Sequence, residues 1–441
     1  MAKNFKIHFI GIGGIGVSAL ARYYLYQGWD VTGSDLAESE ITKDLEKLGA
    51  KIYAGTNSLK NKMPDLVVYS PAVKKDNPEL KEAKKLGIKT MSYPQALGEL
   101  SKIYKTIAVA GAHGKSTTTA MIGLMMAAAK LDPTVIVGTK VREFGNSNFR
   151  HGESEYLVIE ACEYDCSFLN YWPQIAVITN IEMDHMECYD SEAKLLAAFR
   201  EFAGHVPASG SIVYCGDNAN AAKAVSKSKK MVAAPVNYSV AQPEFAALRK
   251  IMSVPGEHNV ANALAAMSVG RLLGIKDKSI ISALSKYKGS WRRFDCAPGK
   301  IGKKKVTVVS DYAHHPTQIR LTMEAARKKW QNKKVIVVFQ PHQAWRTHLL
   351  FKDFAAALMG APVDRVIVTD IYKVAGRESA AIAKKVSAQK LAEAAKKDSV
   401  EYVPQDKVYE SLGRIVKGGE IILVMGAGNI YDLSKKIVSR K

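Results

Sequence analysis

Cysteine is scarce in this chain: Cys162, Cys166, Cys188, Cys215 and Cys296 are the only five thiols among 441 residues. They lie in or beside apparent strands and site loops, which excludes a disulfide framework. A protein-held zinc would need a second Cys or His pair at finger distance from Cys162 and Cys166, and the sequence has none. Long hydrophobic runs are missing too. No apolar stretch reaches the roughly 18 residues needed to span a bilayer, and MAKNFKIHFIGIGG leads straight into a strand and a glycine turn. A cytoplasmic protein without a membrane partner is therefore expected. Acidic residues are in deficit, 42 against 63 Lys and Arg, for a formal charge of +21. A nucleic-acid platform would interleave that charge with aromatics, but the basic residues fall in short pieces such as Lys303 to Lys305. No nucleic-acid partner is expected, and the charge reads as solvated surface.

What is present is a packing composition, 47% hydrophobic, in a chain too long for one core. Apolar runs bounded by Gly, Asp, Asn or His alternate with stretches of helical periodicity, the pattern of parallel sheets with crossover helices. The fold class is α/β, in three blocks. Strands are predicted at Lys6–Ile10, Asp30–Gly33 and Leu66–Tyr69 in residues 1–105. In residues 106–297 they are predicted at Thr106–Ala110, Tyr156–Ala161, Ile175–Thr179 and Ser211–Cys215. The third block, 298–441, opens after the Pro-Gly of APGKIGKKK, with strands at Val306–Ser310, Lys334–Gln340, Arg365–Thr369 and Glu420–Met425. Asp311, His342, Asp370 and Gly426 then sit just past carboxyl ends, the edge where open α/β sheets bind ligands.

Two glycine loops carry the chemistry. Gly11, Gly13 and Gly16, with Gly14 between, form G-x-G-x-x-G between a strand and a helix, and Asp35 follows at the end of the second strand. Such a loop lets backbone approach a pyrophosphate at a positive helix terminus, and alone it fits a dinucleotide dehydrogenase or another nucleotide-type ligand. Gly111, Gly114, Lys115, Ser116 and Thr117 in VAGAHGKSTTTAMI follow a strand and open a helix. They lack the first glycine of the strict P-loop, where Val109 stands, but keep the amides, lysine and hydroxyls that hold ATP and magnesium. Glu160, ending YLVIEA, supplies a hard oxygen for Mg²⁺, with Glu163 and Asp165 close behind, and His185 closes a similar passage.

GAHGKSTT, EACEYDCSFL, ITNIEMDHMECY, GEHNVANALAA, WRRFD, DYAHHPTQI, FQPHQAWRTHLLF and MGAGNI follow one another in order. The chain resembles the Mur ligase family across nearly its whole length, most closely the alanine-adding branch. The resemblance implies a Rossmann-like UDP-sugar domain, a central P-loop-type ATPase domain and a Rossmann-like amino-acid domain. It implies ligation of L-alanine to the lactyl carboxylate of UDP-N-acetylmuramate with ATP and Mg²⁺, or, as the alternative, attachment of a whole tripeptide. On this resemblance Gly11, Gly13, Gly14, Gly16 and Ser70 hold the UDP-sugar, Asp35 its nucleotide end, and no nicotinamide is needed. Lys115 meets the transferred phosphate; Ser116 or Thr117, with Glu160, holds one magnesium, and His185 approaches a second. Asn259 and Asn262 lie on the adenine side, and Arg292 or Arg293 near the phosphates. Tyr312, His314, His315, Gln343 and Arg346 line the amino-acid pocket, with Arg346 on the carboxylate and His314 near the amine. Gln343 departs from the branch, where P-H-R-x-x-R-T is more usual. The neutral amide there leaves the acceptor's identity open.

Overall fold

The computed structural model describes residues 5–59, 63–184, 188–226, 232–374 and 380–438. Among them, no helix is long and apolar enough to cross a membrane. Three sheets follow one another along the chain. The first holds β1 (Lys6–Ile10), β2 (Asp30–Asp35), β3 (Lys51–Ala54), β4 (Leu66–Tyr69) and β5 (Lys89–Ser92), ordered β3-β2-β1-β4-β5 and parallel throughout. The order reverses between β1 and β4, so a crevice opens above their carboxyl ends.

The second holds β6 (Lys105–Ala110), β7 (Thr134–Val141), β8 (Ser147–Arg150), β9 (Tyr156–Ala161), β10 (Ile175–Ile178), β11 (Ser211–Cys215) and β12 (Ala234–Tyr238). Their order is β12-β11-β10-β6-β9-β7-β8, with only the β7–β8 pair antiparallel. β6 and β10 are central and covered on both faces, which is why KTIAVA and IAVI read as continuous apolar runs and not as alternation.

The third holds β13 (Asp295–Ile301), β14 (Lys304–Asp311), β15 (Val335–Phe339), β16 (Arg365–Val368), β17 (Val400–Tyr402) and β18 (Ile421–Met425), ordered β13-β14-β18-β15-β16-β17. Here one expectation is corrected. The Pro-Gly pair read as the start of this block lies inside β13, which pairs antiparallel with β14 from Asp295 onward. β13 is an edge strand, and a proline on an edge can forgo its missing N–H without breaking a ladder.

The chain divides into two compact units, one carrying the first two sheets and the other carrying the third together with Asp184 and Met252–Val260. In the first, a single apolar cluster runs from Ile7, Phe9 and Leu20 to Phe168, Phe199 and Phe202. Helix Tyr93–Ile103 joins the two sheets of this unit and packs closely on the segment Tyr164–Asn170. A Cβ on Gly98 would stand 2.4 Å from the Asn170 carbonyl oxygen, so glycine is required by the approach. The Trp172 backbone N–H donates to Ser101 Oγ at 2.9 Å along the same seam. In the second unit, Val308, Val338, Ile367, Ile422 and Val424 form the core of the third sheet. Gly98→Ala is expected to destabilise the first unit by about 1–3 kcal/mol, because the opposing atom is backbone and cannot rotate away. Chemical denaturation checks this, and an unchanged midpoint would contradict the close approach.

Candidate active site

Gly11 leaves β1 at φ +78°, a conformation glycine adopts without strain, and Gly11 and Ile12 donate to the Ser34 carbonyl at 2.8 and 3.1 Å. Gly14 precedes helix Ile15–Tyr26. Ser70, just past β4, closes the other side: its Cβ would lie 3.0 Å from a Cβ on Gly11. The sequence-selected Gly11, Gly13, Gly14, Gly16, Asp35 and Ser70 thus meet at the β1–β4 crevice. Asp35 Oδ2 accepts from Gly13 N at 2.8 Å and fixes the loop.

The second loop leaves β6 with Gly111 at φ +134° and Gly114 at φ +83° and opens helix Lys115–Ala128. A Cβ on Gly111 would meet Thr179 Oγ1 at 2.2 Å, and one on Gly114 would meet Asn262 Oδ1 at 2.3 Å. Asn262 is therefore against the loop. Asn259, in the other unit, spends its amide on the Pro255 carbonyl at 2.7 Å. Residues the sequence reading passed over strap the loop from β10's side. Asn180 Oδ1 accepts from His113 N at 2.9 Å, Thr179 Oγ1 donates to His113 O at 2.6 Å, and His113 Nε2 lies 3.1 Å from Glu182 Oε2.

Lys115 folds back over this loop. Its Nζ donates to Gly111 O at 2.5 Å and to Glu163 Oε2 at 2.9 Å, in a pair 15% and 2% exposed. Burial works against the ammonium, but Glu163, with Cys162 and Glu160 nearby, outweighs it and raises the lysine above its ordinary value. Cys162 is pushed up to about 12 by burial and by Glu163, so this thiol stays protonated. Glu160 ends β9 with Oε1 accepting from Gly138 N at 2.5 Å. Its carboxylate and the buried hydroxyls of Ser116 and Thr117 form a hard oxygen set at one strand-to-helix edge, a donor chemistry that fits magnesium. His185 lies outside the described residues.

In the second unit, Asp311 is buried at the end of β14 and accepts from Phe294 N at 2.7 Å and Ala313 N at 2.8 Å. Burial raises its carboxyl above the ordinary range, with Arg293 and these amides pulling the other way. Arg292 is buried, its Nη2 donating to the Gly426 carbonyl and to Gly428 O, 3.2 Å away. That role is architectural. Arg293 is only half-buried, its guanidinium 5.1 Å from the Tyr312 ring centre. His315 Nδ1 accepts from Thr317 N at 3.3 Å and caps helix Pro316–Lys329.

His314 donates Nδ1–H to the Tyr312 carbonyl at 2.9 Å, which leaves Nε2 as an acceptor. Burial, with Arg346 and His342 beside it, holds this imidazole well below the usual histidine value, against a smaller opposing pull from Asp184. Arg346 is buried, with Nε donating to Asp184 Oδ1 at 2.9 Å and Nη1 to the His342 carbonyl at 3.2 Å. Only Nη2 remains for a ligand among the described residues. Gln343 sits at φ +69° with its N–H on the Tyr372 carbonyl at 2.8 Å. A non-glycine residue held there by its surroundings is strained, as functional sites often are.

Residues 6–105 match the family description "Mur ligase family, catalytic domain", residues 109–270 "Mur ligase middle domain" and residues 292–428 "Mur ligase, glutamate ligase domain". The chain is 38% identical to a UDP-N-acetylmuramate–L-alanine ligase from Caldanaerobacter subterraneus subsp. tengcongensis, over 99% of this chain and 98% of that one. The chain belongs to the Mur ligase family. Among solved structures, this Mur ligase is similar to a UDP-N-acetylmuramate–alanine ligase from Thermotoga maritima, at 27% identity and a TM-score of 0.79, covering 99% of each. A murein peptide ligase from Psychrobacter arcticus shares the fold, at 22% identity and a TM-score of 0.74 over 98% of each chain.

Two outcomes follow from the geometry of this Mur ligase. Asp184→Ala strands the Arg346 guanidinium in a buried place and is expected to cost about 3–5 kcal/mol, read from urea unfolding; a loss below about 1 kcal/mol would contradict a buried pair. His314 carries a folded-state value below its unfolded one, so below about pH 6.5 the unfolded chain takes up a proton that the folded site refuses. Stability should fall as pH drops below that point, and His314→Gln should flatten the slope in melts between pH 7 and 5.

Proposed function

We propose that this Mur ligase joins L-alanine to the lactyl carboxylate of UDP-N-acetylmuramate, converting ATP to ADP and phosphate, as a step of peptidoglycan precursor synthesis. The observation that carries the reading is whole-length similarity to ligases of that name, at 38% identity over 99% of the chain. Three domains, residues 1–105, residues from 106 up to β13, and residues from the start of β13 onward, would take the UDP-sugar, ATP and the amino acid in turn. ATP and a UDP-sugar are metabolites of the cytoplasm, where the reaction is placed.

A carboxylate resists amines because its leaving group would be oxide. Attack of the lactyl carboxylate on the γ-phosphorus forms an acyl phosphate and releases ADP. Lys115 turns from Gly111 O and Glu163 toward the transferred phosphate and offsets charge on its equatorial oxygens. Glu160 with Ser116 or Thr117 would hold magnesium, which supplies further neutralisation of the phosphates when bound; His185 is assigned to a second ion. Arg292, with Nη2 on backbone carbonyls and Nε buried without a partner among the described residues, or Arg293 beside it would approach a phosphate.

In the acceptor pocket, Arg346 offers one remaining nitrogen to the alanine carboxylate, a single contact and not a bidentate fork. Gln343 supplies a neutral amide beside it. His314 accepts an N–H of the amine at Nε2 and orients it. Its low proton affinity argues against a strong general base, whose value should lie near the working pH. The neutral amine attacks the acyl carbon, and phosphate leaves from the tetrahedral intermediate.

The test is ADP release with ATP, magnesium and UDP-N-acetylmuramate, with L-alanine, glycine, L-serine or the tripeptide supplied separately. Turnover dependent on L-alanine is expected, and turnover with the tripeptide alone would move the chain to the peptide-adding reaction. Lys115→Ala should abolish ADP formation while UDP-sugar binding stays within about threefold, under about 0.7 kcal/mol. Lost sugar binding with unaltered ATP turnover would refute the assignment of the two loops.

A further inference from the structure

Tyr93 occupies a place that no motif marks. β5 ends at Ser92 on the carboxyl edge of the first sheet, and helix Tyr93–Ile103 then descends to Lys105, the first residue of β6 in the second sheet. The helix leaves one parallel sheet at its carboxyl edge and delivers the chain to the amino edge of the next. Its first residue therefore stands at the top of the seam, where the ligand-binding edges of the two sheets come together. The tight Gly98–Asn170 approach and the Ser101–Trp172 hydrogen bond fix the helix there.

The side chain reaches both sites. A Cβ on Gly16 would meet Tyr93 Cζ at 2.8 Å and Oη at 2.9 Å, so the phenol tip lies directly on the last glycine of the first loop. Glu160 and Cys162 are close enough to act with burial in raising the phenol above its ordinary value, which keeps it a protonated donor. Tyr171, fully buried beneath, lies in the same field. The ring is half-buried, yet its hydroxyl has no hydrogen-bond partner among the described residues. A tyrosine hydroxyl carried into a protein ordinarily finds one.

We propose that the Tyr93 hydroxyl binds the nucleotide sugar, donating a hydrogen bond to one of its anionic oxygens as it extends from the Gly11–Gly16 loop toward Glu160 and Lys115. The inference rests on the reading of that loop as the UDP-sugar site. It adds a donor from the domain-joining helix to the glycine loop, Ser70 and Asp35. It also explains Gly16, since any side chain there would displace the phenol.

Tyr93→Phe keeps the ring on Gly16 and removes only the donor. Calorimetric titration of UDP-N-acetylmuramate into the full chain without ATP should show Kd raised about ten- to hundredfold, as expected for a hydrogen bond to a charged group. KM for the sugar should rise in parallel, while KM for ATP and the melting temperature stay unchanged. Sugar affinity equal to wild type would overturn the proposal, and so would an equal loss for ATP and sugar with a lowered melting temperature, the mark of a packing role. Failure of the wild-type chain to bind UDP-N-acetylmuramate would overturn the UDP-sugar reading and this proposal with it. Wild-type binding that survives Tyr93→Phe would overturn the proposal alone.

Discussion

An ammonium group taken out of water needs compensation of several kcal/mol, and Lys115 is such a group, 15% exposed at the top of β6. Glu163 and the Gly111 carbonyl supply it, and the surrounding architecture follows from that requirement. β9 must lie next to β6 for the segment after Glu160 to bring Glu163 back over the loop. β10 must lie on the other side so that Thr179 and Asn180 can strap His113. The same pair keeps the lysine charged and available: a triphosphate offers it more negative charge than one carboxylate can. Gly111 and Gly114 are glycines for the matching steric reason, since Thr179 and Asn262 occupy the space a Cβ would need.

A second buried ion pair organises the other unit. Arg346 and Asp184 are 6% and 4% exposed, and the pair fixes one edge of the guanidinium. Nε and Nη1 are engaged inside the protein, which leaves Nη2 as the one nitrogen without a partner among the described residues. Gln343 beside it offers a dipole and no charge. The histidine above them stays neutral because the neighbouring cation and its own burial both oppose protonation. Together these groups present fixed dipoles and one cationic nitrogen.

Several strands were legible to the residue. β1, β4, β9 and β11 have the bounds expected from the sequence, because strands sandwiched between helix layers must be apolar without interruption. The strands that escaped notice were β3, β5, β7, β8, β12, β13 and β17, and all but β7 are sheet edges. An edge is half solvated, so KIYA and KTMS carry no continuous apolar signal. β7 is interrupted by Gly138 and Lys140, the first of which leaves room for the Glu160 carboxylate.

The sequence by itself determined the α/β class, the two glycine loops, the lysine, the hydroxyls and Glu160, since each follows from spacing within about twenty residues of one strand end. It also carried the family resemblance through ordered motifs. Only the tertiary structure decided which of those groups are spent inside the protein. Nη2 of Arg292 went to the backbone carbonyls of the Gly426 turn, Nδ1 of His315 to a helix cap, Oδ2 of Asp35 to its own loop, and Nε of Arg346 to an aspartate 162 positions away. The physical reason is that charge compensation and close packing are settled by neighbours in space, and chain separation says nothing of who those neighbours are. Tyr93 is the clearest case: its position is set by where one sheet ends and the next begins.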